Sequence, residues 1–123
     1  MDQLVKPVTW LFGVVFIAIG ILGFINNPIL GLFSVNAVHN IVHLLSGAVA
    51  LGAASSGYKN SRLYLIIFGL VYALVTVLGF VTPDLLGSLL NANLADNYLH
   101  LVIAAVTLLI GFLSAKNPVH ATA

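Results

Sequence analysis

The sequence contains no cysteine and very little charge. Without cysteine, the chain cannot form disulfides, thiolate metal sites or a cysteine nucleophile. Charged residues make up 6% of its 123 residues, whereas a soluble domain carries about 25%. Hydrophobic residues make up 61%, which is too many for a soluble protein to cover its own surface with polar groups. The composition therefore predicts an integral membrane protein, built as a single domain over residues 1–123.

Basic patches and the common catalytic motifs are also missing. The formal net charge is +1, and without a basic patch we expect no nucleic-acid partner. Because no Ser-His-Asp order, phosphate loop or redox-cysteine motif occurs, we expect no enzymatic activity. The first apolar run is too long for a signal peptide, and no small-residue cleavage site follows it. We therefore interpret that run as a retained transmembrane helix.

Four apolar segments are long enough to cross a bilayer, which takes about 20 residues. They are predicted at residues 8–25, 38–54, 63–81 and 98–114. Pro7 is expected to precede the first helix, and the polar run 55–61 is expected to form the turn between the second and third. The predicted fold class is an all-α, integral membrane four-helix bundle.

The few basic residues predict the orientation. Lys6, Lys59, Arg62 and Lys116 all fall on one side of the four predicted spans. The positive-inside rule then places both termini on the cytoplasmic side of the membrane. The opposite, outer loops contain short apolar stretches at 28–33 and 83–90. Both stretches are predicted as interfacial or partly re-entrant helical turns, because a helical turn satisfies its own backbone.

The chain also repeats itself. FGVVFIAIGILGFI begins at Phe12 and FGLVYALVTVLGFV begins at Phe68, and the segment NIVHL at 40–44 matches NYLHL at 97–101. Two helix–outer turn–helix units, about 8–55 and 63–114, therefore enter the membrane in the same direction. This arrangement predicts a pseudo-two-fold axis along the membrane normal. If the second and fourth spans face each other across it, their polar residues meet at one outer-leaflet site.

Those polar residues form a candidate metal site. His39 and His43 are four residues apart in the stretch NAVHNIVH (36–43), and Asp96 and His100 have the same spacing, so each pair shares a helix face. Three imidazoles and one carboxylate suit a divalent transition metal such as Zn, Fe, Mn, Ni or Cu. Four asparagines are expected to hydrogen-bond and orient the rings: Asn36, Asn40, Asn93 and Asn97.

Two other roles are consistent with the same residues. Polar groups in membrane helices usually hydrogen-bond one another inside the bundle, so the cluster could serve only to join helices. Alternatively, His39, His43 or His100 could be the axial ligand of haem or chlorophyll in an accessory subunit of a photosynthetic or respiratory complex. Outward-facing histidines would favour this tetrapyrrole role, whereas histidines converging between the second and fourth spans would favour metal or helix contacts. His120, in a polar tail after Pro118, is not expected to be a ligand.

The paired motifs Asn36-x-x-His39-Asn40-x-x-His43-Leu44 and Asp96-Asn97-x-Leu99-His100-Leu101 resemble a family of small four-helix bacterial membrane proteins. That family is catalogued as domain of unknown function 4383, and the resemblance covers nearly the whole chain. It implies a four-span protein of a bacterial inner or thylakoid-type membrane and carries no activity with it. We therefore expect a non-enzymatic structural or binding subunit, whose partners are the lipid bilayer and either a larger membrane protein complex or further copies of itself.

Overall fold

The computed structural model describes residues 1–118 and contains α-helices but no β-strand in that range. The helices are α1 (Asp2–Ile25), α2 (Ala37–Ser56), α3 (Tyr58–Val81), α4 (Pro83–Leu90) and α5 (Leu94–Leu113). His120 lies outside the described residues. The predicted all-α class is confirmed.

Four of these helices, α1, α2, α3 and α5, are long and apolar enough to cross a membrane. Their outward faces carry large exposed hydrophobic side chains, including Leu11, Leu45, Leu74 and Leu109. Such faces would be costly in water but match the hydrocarbon core of a bilayer, where helices satisfy their own backbone hydrogen bonds. The chain is an integral membrane protein, as its composition predicts.

Three predicted boundaries are wrong. Pro7 lies inside α1, which already begins at Asp2; proline removes one backbone donor but its φ is compatible with a helix. The expected turn at 55–61 shrinks to Gly57, whose φ of +112° suits glycine, and α3 begins directly after it. Helix α5 begins at Leu94 instead of 98, because Asn93 caps it. Polar residues near a helix end do not by themselves end the helix.

The two outer loops differ from each other. Residues 83–90 form α4, as predicted. Residues 28–33 do not form a helical turn: Ile29 and Phe33 exchange two backbone hydrogen bonds of 2.8 and 3.1 Å. Leu30 and Gly31 between them have φ values of +54° and +70°. Positive φ values are incompatible with a right-handed helix, so this prediction is wrong.

The helices pack in the pairs that the repeat defines. Helix α1 packs along α2, α3 packs along α5, and α1 also contacts α3. Gly13 faces Leu51 in the first pair and Gly69 faces Leu108 in the second, and small residues of this kind let membrane helices approach closely. Helices α2 and α5, in contrast, have no Cα atoms within 8 Å of each other. Side chains of the two helices, such as His39 and His100, approach each other across the space between them.

Candidate functional site

Three imidazoles converge in the space between α2 and α5. The ring centroids of His39 and His43 lie 4.4 Å apart, and those of His39 and His100 lie 5.8 Å apart. One nitrogen from each ring lies within 4.8 Å of the corresponding nitrogens of the other two. The three residues are 1%, 4% and 2% exposed. The structure thus brings together histidines from both halves of the sequence and buries them; we call His39, His43 and His100 the histidine cluster.

Each ring of the histidine cluster has a buried nitrogen without a hydrogen-bond partner. His39 Nδ1 donates to the carbonyl of Leu90 at 3.0 Å, because a carbonyl can only accept. This bond leaves the lone pair on His39 Nε2, which is unpartnered, as are Nδ1 of His43 and Nδ1 of His100. Leaving a buried polar atom unpaired costs about 1–3 kcal/mol. Three such atoms on rings that converge are therefore the arrangement expected of a ligand-binding site.

Asp96 does not join the histidine cluster. Its carboxylate accepts from the backbone N–H of Asn93 at 2.8 Å, and the Asn93 side chain accepts from the backbone N–H of Asp96 at 3.0 Å. This reciprocal pair is a capping box at the start of α5. His39 occupies the equivalent position of α2, where its backbone N–H donates to the side chain of Asn36 at 2.9 Å. The predicted carboxylate ligand is thus held at the helix start, and the group that converges consists of three histidines.

The asparagines also have other partners than those predicted. Among the hydrogen bonds of residues 1–118, none joins an asparagine side chain to an imidazole nitrogen. Asn97 Nδ2 donates to the carbonyl of Gly79 at 3.0 Å, and Asn40 packs directly against Gly23. These two residues therefore join α5 to α3 and α2 to α1. The group that orients a ring is the backbone carbonyl of Leu90, which no sequence pattern could have identified.

The remaining asparagines hold together the two loops, residues 26–36 and 82–93, which we call the cap. Asn36 Nδ2 donates to Leu89 O at 3.0 Å, and Asn93 Nδ2 donates to Leu32 O at 2.8 Å. Asn91, which sequence reasoning missed, donates to Val35 O at 3.0 Å. Each loop is therefore tied to the other half of the chain. The cap positions the Leu90 carbonyl against His39 and covers this end of the histidine cluster.

Aromatic side chains bound the histidine cluster toward the middle of the helices. Phe16 packs on His43 with 5.6 Å between ring centroids, and Tyr72 packs on His100 at 5.5 Å. Phe16 and Tyr72 stack on each other at 5.5 Å. The Tyr72 hydroxyl donates to Ser46 Oγ at 3.4 Å, so this buried hydroxyl has a hydrogen-bond partner within the core. The cluster is thus enclosed between the cap and an aromatic layer.

Two apolar cavities flank the histidine cluster from opposite sides. One, of about 240 Å³, lies between α2 and α3 and is lined by all three histidines and Tyr72. The other, of about 390 Å³, lies between α1, α5 and the 28–33 turn, and its polar lining residues are His43 and Asp96. His43 lines both cavities. Neither lining includes a lysine or arginine, so the cluster is approached through apolar walls.

Comparison with known proteins gives one match. No curated protein and no solved structure matches the chain. A family model matches residues 6–113, a range that contains the histidine cluster, Asp96 and all four asparagines considered above. The resemblance noted from the paired motifs is confirmed. The chain therefore belongs to the family described as Domain of unknown function (DUF4383).

Proposed function

We propose that the protein is a non-enzymatic metal-binding membrane protein, in which His39, His43 and His100 hold one divalent transition metal ion inside the helix bundle. The observation that carries this proposal is that each of the three converging rings has a buried nitrogen without a partner. A metal ion bound through the unpartnered nitrogen of each ring would satisfy all three nitrogens at once. A hydrogen bond between two rings would leave the third nitrogen unpaired.

The donor set agrees with this chemistry. Neutral imidazoles suit Zn, Cu, Fe and Ni, and the Leu90 carbonyl already selects the His39 tautomer whose Nε2 carries the lone pair. Zn–N bonds of roughly 2.0–2.1 Å place tetrahedral ligands about 3.4 Å from one another. Since the three ligand atoms lie within 4.8 Å of one another, side-chain rotations that move them closer by up to about 1.4 Å would close the site. Asp96, the only carboxylate nearby in the described chain, is engaged in its capping box, so the donor set consists of the three imidazoles.

The rival roles predict different geometry. A tetrapyrrole ligand would require an imidazole facing lipid or a neighbouring protein, whereas these three rings are buried and face one another. A purely structural role would use the His39–Leu90 bond and ring packing alone, and would leave three nitrogens unsatisfied. The convergence of the rings therefore favours the metal over both. Membership of a larger membrane complex, or of a homo-oligomer, is compatible with this proposal.

The test is the metal content of the purified protein, measured by elemental mass spectrometry after incubation with Zn²⁺, Mn²⁺, Ni²⁺ or Cu²⁺ and removal of free ion. We expect one ion per chain in the wild type, and loss of binding in His39→Ala, His43→Ala and His100→Ala. The matched control is Asp96→Asn, which can still cap α5 and should keep its metal. Unchanged metal content in His43→Ala and His100→Ala, or no metal in the wild type, would show that the histidines only join helices. Co-purifying iron with a Soret absorbance band would instead indicate haem.

We further propose that both termini are cytoplasmic and that a pseudo-two-fold axis along the membrane normal relates the two repeats. The one-sided basic residues support the orientation. The matching contacts of Gly23 with Asn40 and of Gly79 with Asn97 support the axis. Since the chain lacks cysteine, single cysteines at the exposed positions Ser88 and Ser56 can be labelled with an impermeant maleimide. Only Ser88→Cys should react in intact cells. Labelling of Ser56→Cys alone would show that the protein has the opposite orientation in the membrane.

A further inference from the structure

Most approaches to the histidine cluster lead through apolar side chains. Apart from the histidines, the two flanking cavities are lined mainly by valine, leucine, isoleucine and aromatic residues. Toward the other end of the bundle the cluster is closed by the stacked rings of Phe16 and Tyr72, and beyond them lies an apolar core that includes Val5, Leu65 and Ile110. Moving an unpaired divalent charge through such surroundings is far more costly than breaking a few hydrogen bonds. The remaining approach is through the cap.

The cap is closed by contacts that water can replace. Its two loops are joined by the amides of Asn36, Asn91 and Asn93, which donate to carbonyls of the opposite loop. Two of these bonds, those of Asn36 and Asn93, are exposed at the surface, so water compensates for most of their loss. The only charged residue of the cap is Asp84, which is exposed, whereas all four basic residues lie toward the opposite end. The cap end therefore attracts cations and opens at low cost.

Asn91 connects the closure of the cap to the orientation of a histidine. The Leu90 carbonyl accepts from Nδ1 of His39 at 3.0 Å, and the next residue, Asn91, donates across the cap to Val35 O at 3.0 Å. Asn91 ends α4 in the left-handed conformation, with φ of +55°. If the Asn91 bond breaks, the adjacent Leu90 carbonyl loses its fixed position, and the ring of His39 is free to turn. One bond thus closes the cap and holds one ring of the histidine cluster.

We propose that hydrophilic cations reach the histidine cluster only through the cap, and that the Asn91–Val35 hydrogen bond is the latch of this entrance. This inference rests on the proposed function in one respect: the cation that uses the entrance is the bound metal ion. The protein then exchanges its metal with the aqueous phase on the cap side of the membrane. The ion enters when the cap opens, and closure of the latch returns the Leu90 carbonyl to His39.

The experiment measures access to a cysteine placed in the histidine cluster, since the chain has none of its own. The full chain with His43→Cys is treated with trimethylammonioethyl methanethiosulfonate, a cation that does not cross membranes, and in parallel with uncharged methyl methanethiosulfonate. Both reagents convert the thiol to a mixed disulfide and release methanesulfinate, and mass spectrometry follows the reaction. His100→Cys provides a second position if His43→Cys does not fold.

The side of entry is determined in intact cells and in inverted membrane vesicles. Ser88→Cys, in the cap, and Ser56→Cys, at the opposite end of the bundle, are exposed positions that show which face the cationic reagent reaches. We expect the cation to modify His43→Cys in the preparation in which it modifies Ser88→Cys. Modification of His43→Cys from the face that exposes Ser56→Cys would overturn the proposal.

The latch is tested with Asn91→Gly, which removes the amide and keeps the left-handed backbone that glycine adopts readily. Combined with His43→Cys, it should accelerate the reaction with the cation roughly three- to tenfold, the effect of one lost hydrogen bond, and leave the rate of the uncharged reagent unchanged. The matched control is Val71→Ala, which shortens a 48% exposed residue in the wall of the cavity between α2 and α3 and should not change the rate with the cation. An unchanged rate in Asn91→Gly, or a faster rate in Val71→Ala, would overturn the proposal, as would a folded protein in which only the uncharged reagent reacts.

Metal release separates this proposal from the proposed function. With all three histidines present, Asn91→Gly should lose its ion to an impermeant chelator faster than the wild type by the same factor. If the wild type holds no metal but the cation reaches the cysteine through the cap, only the proposed function fails. If the wild type holds metal but the cation does not enter through the cap, only the entrance fails.

Discussion

Replacing Gly79 with alanine should destabilise the bundle, because Asn97 packs directly on that glycine. Asn97 is 6% exposed, and its Nδ2 donates to the Gly79 carbonyl at 3.0 Å. A Cβ on Gly79 would collide with the amide oxygen of Asn97 and lie 2.6 Å from its Cγ. The amide would have to move away from the carbonyl that it bonds, so the substitution both overpacks the contact between α3 and α5 and breaks a hydrogen bond.

Two destabilising contributions and one stabilising contribution determine the size of the expected stability loss. Overpacking a tight contact costs roughly 1–3 kcal/mol, and losing the amide–carbonyl bond costs about 0.5–1.5 kcal/mol. Alanine in place of glycine in a helix interior recovers about 0.5–1 kcal/mol. We therefore expect Gly79→Ala to lower the free energy of unfolding by about 0.5–4 kcal/mol, with a middle value of about 2 kcal/mol. Gly23→Ala should have a similar effect, because its Cβ would collide with the amide of Asn40 in the same way.

Gly52 provides the matched control. It is an exposed glycine within α2, and a Cβ there would meet no atom within 4 Å. Gly52→Ala should therefore raise stability by about 0.5–1 kcal/mol, from helix propensity alone. The comparison isolates the contact with asparagine, since all three substitutions add the same methyl group to a helix.

The assay is equilibrium unfolding in mixed detergent micelles, with SDS as denaturant and circular dichroism as readout. If Gly79→Ala is as stable as Gly52→Ala, the reasoning about the Asn97 contact is refuted. The double variant Gly79→Ala/Asn97→Ala should recover part of the loss, since removing the amide makes room for the methyl group. Gly23→Ala and Gly79→Ala should change the free energy of unfolding in the same direction and to a similar extent. A difference larger than the cost of one hydrogen bond, or an opposite sign, would argue against equivalent repeats.

Two further substitutions test contacts at opposite ends of the bundle. Asn93→Ala removes the capping box with Asp96 and should lower the free energy of unfolding by about 1–2 kcal/mol. Backbone amides in the first turn of α5 should also exchange hydrogen faster. Unchanged exchange there would contradict the capping role. Tyr58→Phe removes a hydroxyl that donates to Ala115 O at 2.7 Å and should lower the stability by about 1 kcal/mol, measured by thermal unfolding. Tyr98 is 56% exposed, so Tyr98→Phe should change the stability little. Equal losses in the two tyrosine variants would show that the Ala115 contact does not stabilise the fold.

The number and type of membrane helices could be predicted because crossing a bilayer imposes a length and an apolarity that composition alone reveals. All four predicted spans correspond to helices in the structure. Their ends were predicted less well. Pro7 and the 55–61 run look like breaks, yet a helix near the membrane surface tolerates proline and accommodates polar side chains such as Lys59 and Ser61. The 28–33 turn depends on positive φ at a leucine, which no propensity predicts.

The sequence by itself determined the class of protein, the four helices and the i, i+4 spacing that places His39 above His43, because these properties depend on composition and local backbone geometry. Only the tertiary structure decided which polar groups are satisfied. Asp96 lies four residues before His100, the same spacing as between His39 and His43, but its carboxylate accepts a hydrogen bond from the N–H of Asn93. The histidines of α2 and α5 approach one another although the backbones of the two helices do not. Local hydrogen bonds hold the Asp96 carboxylate at the start of α5. The packing of α1 on α2 and of α3 on α5 places the three imidazoles so that they face one another.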